Sequence, residues 1–128
     1  MTMKQMGALL CAVLLMTACA APVVRDVGLD KFALRKAEKD LSLGIRAYED
    51  GDYKNATRLL QSALAADLFL TSDKVAAHKY LAFMHCAQSR EKACRDEFRK
   101  VLELNPGFQL TPAEAGHPAW GPVFKSLK

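Results

Sequence analysis

A set of apolar and small residues recurs in this chain at one fixed separation. Leu43, Gly44, Ala56, Leu60 and Ala63 are answered by Leu81, Ala82, Cys94, Phe98 and Val101, each 38 positions later. Within each copy the spacing is helical. Leu34, Ala37, Leu41, Ile45 and Tyr48 step by three or four and share one face, and Tyr53, Ala56, Leu60 and Ala63 form the inward stripe of a second helix. Val75, His78, Leu81, Ala82 and His85 mark a third helix beginning near Ser72 and Asp73, and Cys94, Phe98, Val101 and Leu102 mark a fourth. Between the first two, Gly51 suits the left-handed position after a helix and Asp52 suits the cap of the next. Ser89 is the expected cap of the fourth helix, and Asn105-Pro106-Gly107 ends it. The expectation is an all-α fold of two helical hairpins.

The pattern resembles the tetratricopeptide repeat, whose period is about 34 residues, with four extra residues in the 66–73 connection. A small residue on each helix, Gly44 with Ala56 and Ala82 with Cys94, would let paired backbones approach. Pro106 falls where that repeat ends in proline; the first copy has Leu68 there, an irregular ending. A generic helical hairpin bundle is the plainer reading of the same periodicity. Two repeats are fewer than the roughly three needed to bury a continuous core, so caps are expected. One is a helical N-terminal extension over 29–39 with Leu29, Phe32 and Ala33, within a repeat domain spanning 29–106. The other is the tail, 107–128. There, Thr111-Pro112-Ala113-Glu114 is a capping box with proline at the first helical position, residues 117–122 form a rigid turn, and Val123, Phe124 and Leu127 form a short helix.

The N-terminus addresses the chain. Lys4 precedes a short run of apolar or small residues over 7–16, the layout of a secretory signal, too short for the ~20 residues a membrane span needs. Met16-Thr17-Ala18-Cys19 resembles a bacterial lipobox, with Met in place of the usual Leu. That resemblance implies a signal peptide over 1–18 and acylation of Cys19 with palmitate-type chains; an ordinary secretory signal cut near Ala18 or Ala21 is the alternative. Several acyl chains on one cysteine would hold the chain to a membrane, each methylene contributing about 0.8 kcal/mol. Residues 19–28 read as a lipidated cysteine and tether, whose nine residues after Cys19 reach about 30 Å when extended. Ala20 is not the Asp that retains many such lipoproteins at the inner membrane, so the resemblance favours the periplasmic face of the outer membrane. Loss of the signal would lower the formal charge from +4 to +3, too mild and dispersed for a nucleic-acid footprint.

With Cys11 removed and Cys19 acylated, Cys86 and Cys94 remain, in a compartment where disulfides persist. They are eight residues apart across a turn, but their repeat positions do not face each other squarely. A bridge and a pair of buried free thiols both fit. His78 and His85 share a helix face two turns apart, roughly 10 Å, too far for one zinc ion, and read as satisfied core histidines. No metal, cofactor, nucleophile–base pair or glycine-rich phosphate loop is indicated, so an enzyme is not expected. Glu91, Asp96, Glu97 and Glu103 alternate with Arg90, Lys92, Arg95, Arg99 and Lys100 as a solvated face of ion pairs. By the repeat resemblance, a concave partner groove falls to Leu41, Ile45, Tyr48 and Glu49, then Lys79, Phe83 and Cys86. Either a partner occupies it, or the tail fills it through Phe108, Leu110, Trp120 and Phe124.

The segments 77–83, 90–98 with Cys94, 105–108, Glu114-Ala115-Gly116-His117-Pro118 and Trp120-Gly121-Pro122-Val123-Phe124 are together similar to the TssQ-type lipoproteins associated with bacterial type VI secretion systems. With the lipobox, the resemblance covers most of the chain. It implies a non-enzymatic adaptor, anchored to the outer membrane by lipid and binding a periplasmic or envelope-complex protein. An envelope-assembly or pilotin-like lipoprotein, escorting outer-membrane or peptidoglycan-linked components, is the second expectation. Oligomeric state is not legible.

Overall fold

The computed structural model describes residues 23–128, with side chains from Lys31 onward except that of Leu34. The signal, the lipobox and Cys19 lie outside the described residues, as does the side chain of Leu29. Among the described residues, 33–128 form one compact unit, and 23–32 belong to a separate one. The helices are α1 (Val23–Glu49), α2 (Tyr53–Ala65), α3 (Thr71–Ala87), α4 (Glu91–Leu104), α5 (Pro112–Ala115) and α6 (Gly121–Lys125). The fold is all-α, with no strand among the described residues. Because α1 starts at Val23, the segment expected as a tether over 19–28 is helical from Val23 onward.

The turns inside the two hairpins are built alike, bond for bond. After α1, Gly51 N–H donates to the Tyr48 carbonyl at 3.0 Å and Asp52 N–H to that of Ala47 at 2.9 Å. After α3, 38 residues on, Ser89 N–H donates to Cys86 at 3.0 Å and Arg90 N–H to His85 at 2.8 Å. Both are Schellman closures, which need a left-handed residue after the helix. Gly51 holds it at φ 80° and Ser89 at φ 59°. Ser89 therefore ends α3 rather than capping α4, whose N-cap is Arg90 without a side-chain bond. Asp52 does cap α2, its carboxylate accepting from Asn55 N–H.

The 38-residue register carries into the core. Ala56 and Cys94, Leu60 and Phe98, and Ala63 and Val101 are all fully buried. Burying a side chain the size of Leu60 or Phe98 contributes about 1.5–3 kcal/mol. A methyl on Gly44 would lie 2.9 Å from the Leu60 side chain and 3.2 Å from its backbone nitrogen, so α1 and α2 meet there against Leu60. Tyr53, expected to point inward, is 38% exposed and only flanks Tyr48. Leu68, in the expected proline position, is 1% exposed and plugs the first core cluster from the α2–α3 connection.

One repeat pair differs: Leu81 is 2% exposed, Leu43 39%. Leu81 joins Ala77 and Met84 in the core shared with the first hairpin, with Tyr80 packed against it. The corresponding residues of α1 are Lys39, Leu43, Arg46 and Ser42, a mostly polar face suited to the end of a stack. α1 runs unbroken through 29–39 as the helical extension expected; within it Ala37 is buried in the first core cluster, while Ala33 is exposed. At the other end α6 packs on α4 and α5 on α6. Leu110, Trp120 and Phe124 enter the second core cluster, and Phe108 packs against it.

Candidate functional site

The residues expected to line one continuous groove divide into a filled half and an open half. In the filled half, Phe83 is buried under Trp120, ring centroids 4.4 Å apart and nearly parallel. The tail positions Trp120 through the α5–α6 turn. Thr111 and Glu114 form the reciprocal capping box with Pro112 inside the first turn, and Ala119 N–H donates to His117 Nδ1 at 3.1 Å, with the His117 ring stacked on Trp120. Gly121 then passes so close to α5 that a methyl there would lie 2.1 Å from the Ala115 carbonyl oxygen.

Glu114 has a second task. One carboxylate oxygen accepts from Thr111 N–H at 2.9 Å, and the other accepts from Lys79 Nζ at 2.7 Å. Burial alone would raise this carboxyl; the bonds from Lys79 and Thr111 outweigh it and hold the group below the usual carboxylate range. The Lys79 ammonium also lies 4.7 Å from the Tyr80 ring centroid, a favourable cation–π distance. Lys79 and Phe83 therefore serve the tail contact and do not form an open partner surface. Cys86 packs against the same cluster.

An aromatic chain links the two halves. Tyr48 lies 4.9 Å from Tyr80, Tyr80 6.0 Å from Phe83, Phe83 6.0 Å from Phe98 and Phe98 5.1 Å from Phe124, centroid to centroid. These are edge or tilted contacts of the favourable kind. Burial, and next the neighbouring Tyr53, raise the Tyr48 hydroxyl.

The open half lies on α1. Leu41, Ile45 and Glu49, with Glu38, Ser42, Arg46 and Asp73 of α3, line a depression of about 400 Å³. Its apolar base is Leu41 and Ile45, and its rim carries three carboxylates and one guanidinium. Among the described residues none of the four charged rim groups makes an ion pair; the pairs lie elsewhere, at Lys36–Asp40, Lys74–Asp67, Lys79–Glu114 and along α4. Sequence periodicity had no means of placing Asp73 beside α1, because that position depends on how α3 docks.

Cys86 and Cys94 are disulfide-bonded with Cα atoms 5.2 Å apart, within bridging range, despite repeat positions that seemed poorly opposed. The Schellman closure brings the helix ends together squarely enough. His78 Nδ1 contacts Glu97 at 2.5 Å, and Glu97 also accepts from Lys100 at 2.9 Å. Burial raises Glu97, and these two partners more than reverse it. His85 differs from its expectation. Its Nδ1 is buried without a hydrogen-bond partner, and burial lowers its basicity. The α4 face is laced as read, by Glu91–Arg95, Lys92–Asp96 and Asp96–Arg99. Among the described residues no group of three or more potential ligands is placed to hold a metal, and no helix is long and apolar enough to cross a membrane.

No protein-family model, curated protein or solved structure matches this chain.

Proposed function

We propose that this chain is an adaptor lipoprotein, held by acylated Cys19 at the periplasmic face of the outer membrane, whose two helical hairpins bind a protein of an envelope-spanning complex. The resemblance to TssQ-type lipoproteins makes a type VI secretion system the assembly to test first. The observation that carries the docking reading is the half-open groove. The tail satisfies Lys79 and Phe83 on α3, while the corresponding residues of α1, Leu41 and Ile45, floor a depression whose rim charges pair with no other described residue. A surface of this kind, an apolar base with a polar rim, suits protein recognition.

The experiment is photocrosslinking in cells from position 45, where the side chain is half-buried and lines the depression. A discrete heterologous adduct containing a component of an envelope complex is the expected result. Position 83 serves as the internal control: buried beneath Trp120, it should give no heterologous adduct. Absence of any protein adduct from position 45, with the chain present at normal abundance, would remove the adaptor reading.

A further inference from the structure

The two halves of the groove differ in charge, and the filled half shows what an occupant of this scaffold looks like. There α3 presents a cation, Lys79, beside an aromatic ring, Phe83, and the tail answers with a carboxylate, Glu114, and a flat aromatic, Trp120. Thirty-eight residues earlier the scaffold positions are Leu41 and Ile45, so the apolar contact is retained while the lysine is gone. The charges around it are reversed: Glu38 and Glu49 on α1 and Asp73 on α3, against Arg46 alone. None of them is neutralised by another described residue, whereas the filled half is internally paired.

From this inversion we infer that the open half receives a segment of a partner protein carrying Lys or Arg next to an aromatic or large aliphatic side chain. The apolar group would lie on Leu41 and Ile45 as Trp120 lies on Phe83, and the cation would face Glu38, Glu49 and Asp73. Like-charge placement costs several kcal/mol at an interface and opposite charge also speeds encounter, so an acidic segment is disfavoured on both counts. The tail of this same chain is excluded as occupant by its own chemistry: its aromatic is committed to Phe83 and its carboxylate to Lys79. This inference rests on reading the open half as a docking surface, and its test separates the two.

The probes are two pooled 12-residue peptide libraries with a central Trp, identical except that every charged position is Lys or Arg in one and Asp or Glu in the other. They are passed over the immobilised full-length chain in detergent. Preferential retention of the basic pool is expected, falling on the order of tenfold between 50 and 300 mM salt or in a Glu38→Lys/Glu49→Lys variant. Both positions are exposed, so the variant keeps the fold, which a thermal melt checks. Equal retention of the two pools, preference for the acidic pool, or unchanged retention by the variant overturns the inference. If that happens while position 45 still crosslinks a heterologous protein in cells, the docking reading stands and only the assigned chemistry falls. If position 45 crosslinks only a second copy of this chain, the groove is a self-association face and the inference falls with it.

Discussion

Gly121 has no room for a side chain. A methyl placed 2.1 Å from the Ala115 carbonyl forces α5 and α6 apart, and with them Trp120 off Phe83. Gly121→Ala should cost about 2–3 kcal/mol or more, roughly 10 °C or more in thermal midpoint for a domain of this size. Gly107→Ala, where the new methyl would meet nothing nearer than 3.7 Å, should leave the melt unchanged. Trp120→Ala should lose about 3–5 kcal/mol. Trp120→Phe should lose far less, because the indole Nε1 is buried with no partner and its removal relieves an unmet donor. Unchanged stability in Trp120→Ala with lost complex formation would instead make Trp120 a contact residue. Some of this was legible beforehand. Asp52, Gly51 and the Thr111–Glu114 box announce themselves because their roles depend on neighbours within three or four residues. Tyr53 and His85 misled because their stripe positions were right, yet whether a ring is covered, or its nitrogen finds a donor, depends on side chains from other helices.

The hairpin turns allow a test of equivalence at the scale of an element. Both close with the same bonds, yet one uses Gly51 and the other Ser89 in the left-handed region, where a side chain costs about 1–2 kcal/mol. Ser89→Gly should stabilise the second hairpin by about 0.5–1 kcal/mol, after the added flexibility of the unfolded chain is deducted. Gly51→Ala, in open space, should destabilise by about 1 kcal/mol through backbone strain alone. Denaturant unfolding at constant m-value reads both; a loss in Ser89→Gly would mean that the hydroxyl or the β-carbon contributes something the turn geometry does not show. Periodicity located all four long helices and the offset between hairpins, since both are properties of spacing. It missed the role of Ser89, because serine is a common N-cap and only the Schellman bonds reveal a left-handed residue. It also left Leu68 as an irregularity, though a loop leucine that plugs a core is set by the path of the connection.

Among the described residues, four carboxylates lie below their usual range: exposed Asp96, lowered chiefly by its bond to Lys92, and three others through which acidity should chiefly act. Asp40 is lowered chiefly by its bonds to Lys36 and Ser62. In Glu97 and Glu114 burial is the largest influence, and the opposing hydrogen bonds exceed it. A depressed folded pKa means that the stabilisation is present above the unfolded carboxylate range and is lost as pH falls through the folded value. The midpoint should therefore hold near neutrality and decline below about pH 4, with Glu114→Gln declining less steeply because the tail's share is already gone. His85, lowered by burial, adds a smaller loss beginning as pH drops through the imidazole range. Cys19→Ala should leave these melts intact while moving the chain from the membrane to the soluble fraction, provided that cleavage of the signal is verified; persistence of a cleaved form in the membrane would end the anchor reading. The groove was legible only as two alternatives, a partner or the tail through Phe108, Leu110, Trp120 and Phe124; that the tail covers the α3 half and leaves the α1 half open depends on how α5 and α6 dock, which no local pattern reveals. The Cys86–Cys94 bridge has a consequence for biogenesis. If Cys19 is acylated and Cys11 leaves with the signal, as proposed, Cys86 and Cys94 have only each other to pair with, and the α3–α4 turn already holds the two sulfurs near each other. Maturation then needs an electron acceptor and no shuffling catalyst, so strains lacking the periplasmic isomerase should yield normal protein while strains lacking the oxidase accumulate the dithiol form.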